Sequence, residues 1–242
     1  MVRLFHISDL HFGAEDRAAL GWFAQVVAEE KPCGIICTGD LTMRGTVREF
    51  NAAADYLGRL AAPVHIEPGN HDMPYYWEMG ARLRHPFRRF GALRAKAHRA
   101  LPLADVAVVG LSTVVPAQWR LNWSKGCVRE TVLATALHEL AHAGPQALKL
   151  VACHHPLRDA DTHGSGSTRG GGRALAQLAA AGAHAVLSGH VHDPFDMMTQ
   201  TPCGPIRMIG AGTLSERTRA SRPSFNQLDW DGTLRVTARH HG

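Results

Sequence analysis

MVRLFHISDLHFG, residues 1–13, begins like a buried strand and ends on a carboxylate and an imidazole one residue apart. Val2, Leu4, Phe5 and Ile7 suit a strand packed inside a sheet. Asp9 and His11 at the end of that strand are costly to bury without a partner. Residues two apart on a strand face the same side, so the two side chains can point at one object. A metal ion fits, because carboxylate oxygen and imidazole nitrogen are both common ligands. A turn in which Asp9 caps the backbone and His11 stays half exposed is the other reading of this stretch.

Four further apolar runs end the same way. GIICT leads to Gly39-Asp40, PVHIEP to Gly69-Asn70-His71-Asp72, LKLVAC to His154-His155-Pro156, and HAVLS to Gly189-His190-Val191-His192. In open α/β sheets, sites assemble beyond the carboxyl ends of strands, so these five ends can converge. Glycines before Asp40, Asn70 and His190 permit sharp turns that bring the next side chain inward.

Between these runs the chain alternates strand-length and helix-length patterns. Helices are expected near 16–31, 46–61, 130–143 and 171–183, and strands near 103–112, 207–212, 225–230 and 234–239. That alternation predicts an α/β fold whose sheets are covered by helices. With no repeat and no linker, residues 1–242 are expected to form one domain, with a basic and aromatic cap-like segment about 73–105. THGSGSTRGGGR, residues 162–173, is expected to be a mobile loop, and lacks the GK[ST] ending of a phosphate-binding loop.

The chain has 45% hydrophobic and 19% charged residues, ordinary for a soluble protein. No apolar run approaches the ~20 residues of a membrane span. MVRLFHISD lacks the apolar stretch of a signal peptide, and five cysteines without a CxxC pair fit a reducing cytoplasm. A net charge of +5 favours anionic partners. The basic run from Arg82 to Arg99 contains no acidic residue. It reads first as a solvated helix face and second as a phosphate-recognising wall, with Arg88 and Arg89 as its candidates.

The ordered motifs D-x-H, G-D, G-N-H-D, H and G-H-x-H, between residues 9 and 192, closely resemble the calcineurin-like metallophosphoesterase superfamily. The resemblance implies a four-layer α-β-β-α sandwich with mixed sheets and a two-metal centre at one edge. It implies Asp9, His11 and His192 on one metal, Asn70, His154 and His190 on the other, and Asp40 bridging them. His155 competes with His154, which is preferred as the His two before Pro. Mn, Fe and Zn all tolerate this donor set. The resemblance also implies that His71 lies near the leaving-group oxygen as acid or charge stabiliser. Asp72 either orients a neighbouring imidazole or caps the turn.

The chemistry explains the residue types. Phosphate ester hydrolysis needs a nucleophile at neutral pH and a sink for charge on the phosphoryl oxygens. Two cations ~3.5–4 Å apart supply both, by acidifying a bridging water to hydroxide and clamping the phosphate. Neutral Asn70 keeps the set positive, suited to an anionic substrate.

Rival readings come from other classes. HELAH at 138–142 matches the zinc-protease HExxH, but in a chain with 16 His the composition gives roughly 0.04 such matches by chance, low yet far from negligible for three fixed residues. It also falls on an expected crossover helix. A metal-free binding scaffold of the same fold should have lost ligands that this chain keeps. Within the superfamily, HISDLHFG and GNHD look like class III cyclic nucleotide phosphodiesterases and their broad-specificity relatives, so a small phosphodiester is the expected substrate. A phosphomonoester or a nucleic acid is the alternative.

Overall fold

The computed structural model describes residues 1–118, 122–160, 162 and 168–242. Its first sheet contains β1 (Val2–Ile7), β2 (Gly34–Cys37), β3 (Val64–Ile66), β9 (Ser224–Trp230) and β10 (Leu234–His240), in the order β10-β9-β1-β2-β3. The β1, β2 and β3 strands run parallel, while β9 and β10 pair antiparallel. The second sheet holds β4 (Val106–Gly110), β5 (Leu148–Ala152), β6 (Ala185–Ser188), β7 (Phe195–Thr201) and β8 (Gly204–Gly210), ordered β4-β5-β6-β8-β7. Only β7 is antiparallel to its neighbour there.

Period-two alternation along the strands builds three apolar layers. Leu4, Ile36 and Leu228 of the first sheet meet Leu148, Leu150, Leu187 and Ile209 of the second. On the outer face of the first sheet, Phe5, Ile7 and Ile35 pack on α1 (Arg17–Glu30), α2 (Val47–Arg59) and α4 (Arg88–Ala97). On the outer face of the second, Val109, Val151 and Met208 pack on α5 (Glu130–His142) and α6 (Gly171–Ala180). The result is the expected α-β-β-α sandwich. Helix starts follow local chemistry: Asp16 accepts from the Ala18 and Ala19 amides, and Thr46 with Glu49 forms a capping box.

The basic run folds as α3 (Met79–Arg84) and α4, separated around Pro86. The β7 strand escapes the sequence pattern, because FDMMTQT is an edge segment with no continuous apolar run. Gly171 to Arg173, which fall in both the expected loop and the expected helix, form the first turn of α6. The rest of the expected loop falls largely on 163–167, which lie outside the described residues. His138, Glu139 and His142 of HELAH lie on the exposed side of α5, whose buried positions are Leu133, Ala136 and Leu140. Among the described residues no helix is long and apolar enough to cross a membrane.

Candidate metal centre

Backbone pairing between β1 and β2 continues past their ends: Asp9 N donates to Gly39 O (2.9 Å) and His11 N to Asp40 O (3.0 Å). That register sets the two aspartates side by side. Gly39, at φ +95°, makes the turn into Asp40. Asp9, His11, Asp40, His190 and His192 all hold positive φ, between 44° and 72°. For residues with a Cβ this conformation costs on the order of 1 kcal/mol each, and such strain clusters at functional sites. Charged hydrogen bonds offset it: Asp9 Oδ2 accepts from the His190 amide (2.8 Å), and Asp40 Oδ1 from the His71 amide (2.8 Å).

The imidazoles share one pattern. Nδ1 of His11, His71, His154 and His192 each faces a backbone carbonyl, of Thr42, Met43, Thr38 and Arg217 respectively. A carbonyl only accepts, so Nδ1 carries a proton and Nε2 is left turned to the site, where it presents a lone pair whenever the ring is neutral. His11 Nε2 and His192 Nε2 lie 3.2 Å apart, with Asp9 Oδ1 3.6 Å from the first and 3.1 Å from the second. Asp9 Oδ1 is buried and accepts no hydrogen bond. Two lone pairs and an orphaned carboxylate oxygen converging in a buried space want a cation. Across from them, His154 Nε2 lies 3.2 Å from Asn70 Oδ1 and 3.3 Å from Asp40 Oδ2, which is also 3.8 Å from His11 Nε2. Ligand atoms of Asp9, His11 and His192, of Asp9, Asp40 and His154, and of His154, His155 and His190 lie within 4.8 Å of one another in each set.

Electrostatics point the same way. Burial alone would push the Asp9 and Asp40 carboxyls up, yet the imidazoles around them, His192 and His154 foremost, hold both well below the usual range. Burial lowers His154, but the Asp40 charge outweighs it and raises the imidazole to about 9. His190, buried and facing His154, is pushed down to about 3. The carboxylates favour positive charge beside them, on the His154 ring or on a bound cation, and not on His190.

His155 is occupied on both sides: Nδ1 faces Thr113 Oγ1 (2.8 Å) and Nε2 donates to Ser124 O (2.7 Å). It ties the 122–125 segment to the centre. Asp72 contacts no imidazole among the described hydrogen bonds. It accepts from the amides of Gly69 (2.8 Å), Leu41 (3.1 Å) and Thr42 (2.9 Å), which corrects the imidazole-orienting expectation in favour of the turn cap. Burial and then the Asp40 charge raise its carboxyl to about 6.

Arg88 and Arg89 do not join the centre. They line a separate recess between α2 and the α3–α4 pair. Arg89 is tied to Glu78 (2.5 Å) and donates to Gly45 O (2.9 Å), because α4 packs on α2 and turns its basic side away. The cations beside Asp40, Asn70 and His71 are Lys125, Arg217 and Arg219 instead. Arg217 Nη1 lies 3.3 Å from His11 Nε2 and 3.4 Å from His71 Nε2. Its segment is held down by Thr213 Oγ1, which donates to Asp9 O (2.6 Å). The only sequence signal was a cluster of Arg217, Arg219 and Arg222 between two strands.

A two-sheet α/β sandwich with a His, Asp and Asn cluster, its aspartates buried, at the strand ends defines a class of metal-dependent hydrolases. The chain belongs to the calcineurin-like phosphoesterase family, whose model matches residues 2–194. A glycerophosphodiester phosphodiesterase of Enterobacter lignolyticus is 34% identical over 80 residues, 28% of this chain and 29% of that protein. A probable glycerophosphodiester phosphodiesterase of Arcobacter nitrofigilis is 27% identical over 128 residues, 52% of this chain and 42% of that protein. The matched segments span less than half of either relative. Among solved structures, a dimetal phosphatase from Danio rerio has a TM-score of 0.70 at 15% identity, covering 99% of this chain and 96% of that one. Purple acid phosphatase PPD1 from yellow lupin, Lupinus luteus, has a TM-score of 0.70 at 13% identity, covering 99% of this chain and 51% of its own. At these identities the likeness is one of fold.

Proposed function

We propose that residues 1–242 form one domain that hydrolyses a small anionic phosphodiester, such as a cyclic nucleotide, with two metal ions. The observation that carries this is the convergence of His11 Nε2, His192 Nε2 and the orphaned Asp9 Oδ1 in one buried space. Asp9, His11 and His192 would hold one ion, Asn70, His154 and His190 the other, with Asp40 facing both. When bound, Mn, Fe or Zn supplies positive charge for phosphoryl oxygens and acidifies water. His71 donates its Nδ1–H to Met43 O (2.7 Å), so Nε2 is aimed into the recess. Protonated there, it passes a proton to the departing ester oxygen. Arg217, beside the same nitrogen, supplies a fixed cation to a phosphoryl oxygen. The names of the two curated relatives support a diester over a monoester.

The test is a panel of phosphomonoesters and phosphodiesters, assayed after chelation and again with Mn²⁺ restored, alongside metal analysis. Metal uptake with diester turnover is the expected result. A protein that takes up no metal and turns over nothing would be a binding scaffold, and a monoester preference would overturn the diester assignment.

A further inference from the structure

The recess at the centre adjoins a second one, sharing Asn70, His71 and Ser124 with it, whose outer walls are Tyr75, Tyr76 and Trp123. Large aromatic rings normally bury, yet Tyr76 is 49% and Trp77 66% exposed. The Tyr76 and Trp123 rings stand 6.3 Å apart at 57°, forming an open corner. Tyr75 packs edge-on against Tyr76 (5.0 Å, 64°) and tilted against Trp77 (4.4 Å, 43°).

Both walls are built rather than draped. Arg82 is only 4% exposed, its guanidinium 5.3 Å from the Tyr76 ring centre. It donates to Pro74 O (2.9 Å) and Pro116 O (2.9 Å), tying the segment that carries Tyr75 and Tyr76 to the chain at Pro116. The Trp123 wall is pinned through Ser124 O to His155. A group attached to a phosphate held beside Asn70 and His71 therefore reaches this corner directly.

We infer that the corner is a stacking subsite for a planar aromatic substituent of the phosphoester, a nucleobase or an aryl group. This rests on the phosphoesterase reading above and deepens it by naming where selectivity arises: esters carrying an aromatic ring bind better than those carrying only polyol. Stacking serves because every base presents a π-face and Tyr and Trp offer large rigid ones.

The test compares adenosine 5′-monophosphate with ribose 5-phosphate, which carries a hydroxyl at C1 in place of the base, binding to manganese-loaded protein in calorimetry over times when neither is consumed. The nucleotide should bind about tenfold tighter. Tyr76→Ala and Trp123→Ala should each bring the ratio towards one and leave ribose 5-phosphate unmoved, while Tyr76→Phe keeps it. A ratio of one in the wild-type protein, or a ratio untouched by both alanine variants, overturns the inference. If neither ligand binds and no phosphoester is turned over, the phosphoesterase reading falls and takes the inference with it.

Discussion

His6 lies fully buried inside β1, three residues ahead of Asp9. Asn226 Nδ2 faces its Nδ1 at 3.4 Å, so Nε2 carries the proton and donates to Thr38 Oγ1 (3.1 Å). Thr38 in turn offers its carbonyl to His154 (2.8 Å), which links this ring to the centre. Burial, only partly countered by the Asp9 charge, pushes the imidazole from 6.5 down to about 3. A base whose folded value is depressed stabilises the fold above its unfolded value and withdraws that stability as pH falls towards the folded one. At pH 7.5 almost nothing has been lost. At pH 5 the unfolded chain binds a proton that the native chain refuses, and the loss reaches about 2 kcal/mol. His6→Gln keeps a donor for Thr38 but does not titrate. Urea unfolding at both pH values, with chelator throughout so that metal release does not contribute, should show the wild type losing about 2 kcal/mol more than the variant. An equal loss in the two proteins would mean that His6 is already charged in the fold, and the reasoning would fail.

Three further outcomes bear on the centre. Arg217→Ala should raise KM for a phosphodiester, and the inhibition constant of inorganic phosphate, about tenfold through loss of a charged hydrogen bond, with manganese content unchanged; unaltered phosphate inhibition would refute the contact. His71→Ala should keep both metals and lose about 100-fold in kcat on a diester with a poor leaving group, with little loss on one whose leaving group needs no proton. Gly69→Ala would place a Cβ 2.1 Å from Asp40 N and Oδ1, so metal content should drop and stability should fall by about 2 kcal/mol; wild-type manganese content in that variant would show that the Asp40 turn tolerates displacement.

The parts of the fold and site that were legible in the sequence are those written in short periods. Leu4 and Phe5 point to opposite faces of β1 because strand side chains alternate, and the two apolar layers they enter follow from that. Asp9, Asp40, Asn70, His154 and His190 stand out because each ends an apolar run. Arg217 was hidden because it reaches the site through tertiary packing: the chain between β8 and β9 returns over the β1 turn, and no local pattern records that approach. Arg88 and Arg89, offered only by the second reading of the basic run, fall away from the centre for the complementary reason. Their density of charge was visible, but the side of α4 that packs on α2 was decided by Phe90 and Leu93.

The left-handed backbone at five site residues carries the remaining argument. Glycine would relieve that conformation, and glycines do stand at 39, 69 and 189, immediately before Asp40, Asn70 and His190. Asp9, His11, Asp40, His190 and His192 cannot take the same relief, since a residue that presents an oxygen or a ring nitrogen must have a Cβ. The glycines instead admit the neighbouring chain: a Cβ on Gly189 would fall 1.7 Å from Ser8 Oγ and 2.5 Å from Asp9 Oδ2. Close approach is thus assigned to one residue and chemistry to the next. The strain left on the second is tolerated because two parallel strands and the amides of His71 and His190 hold both carboxylates in place.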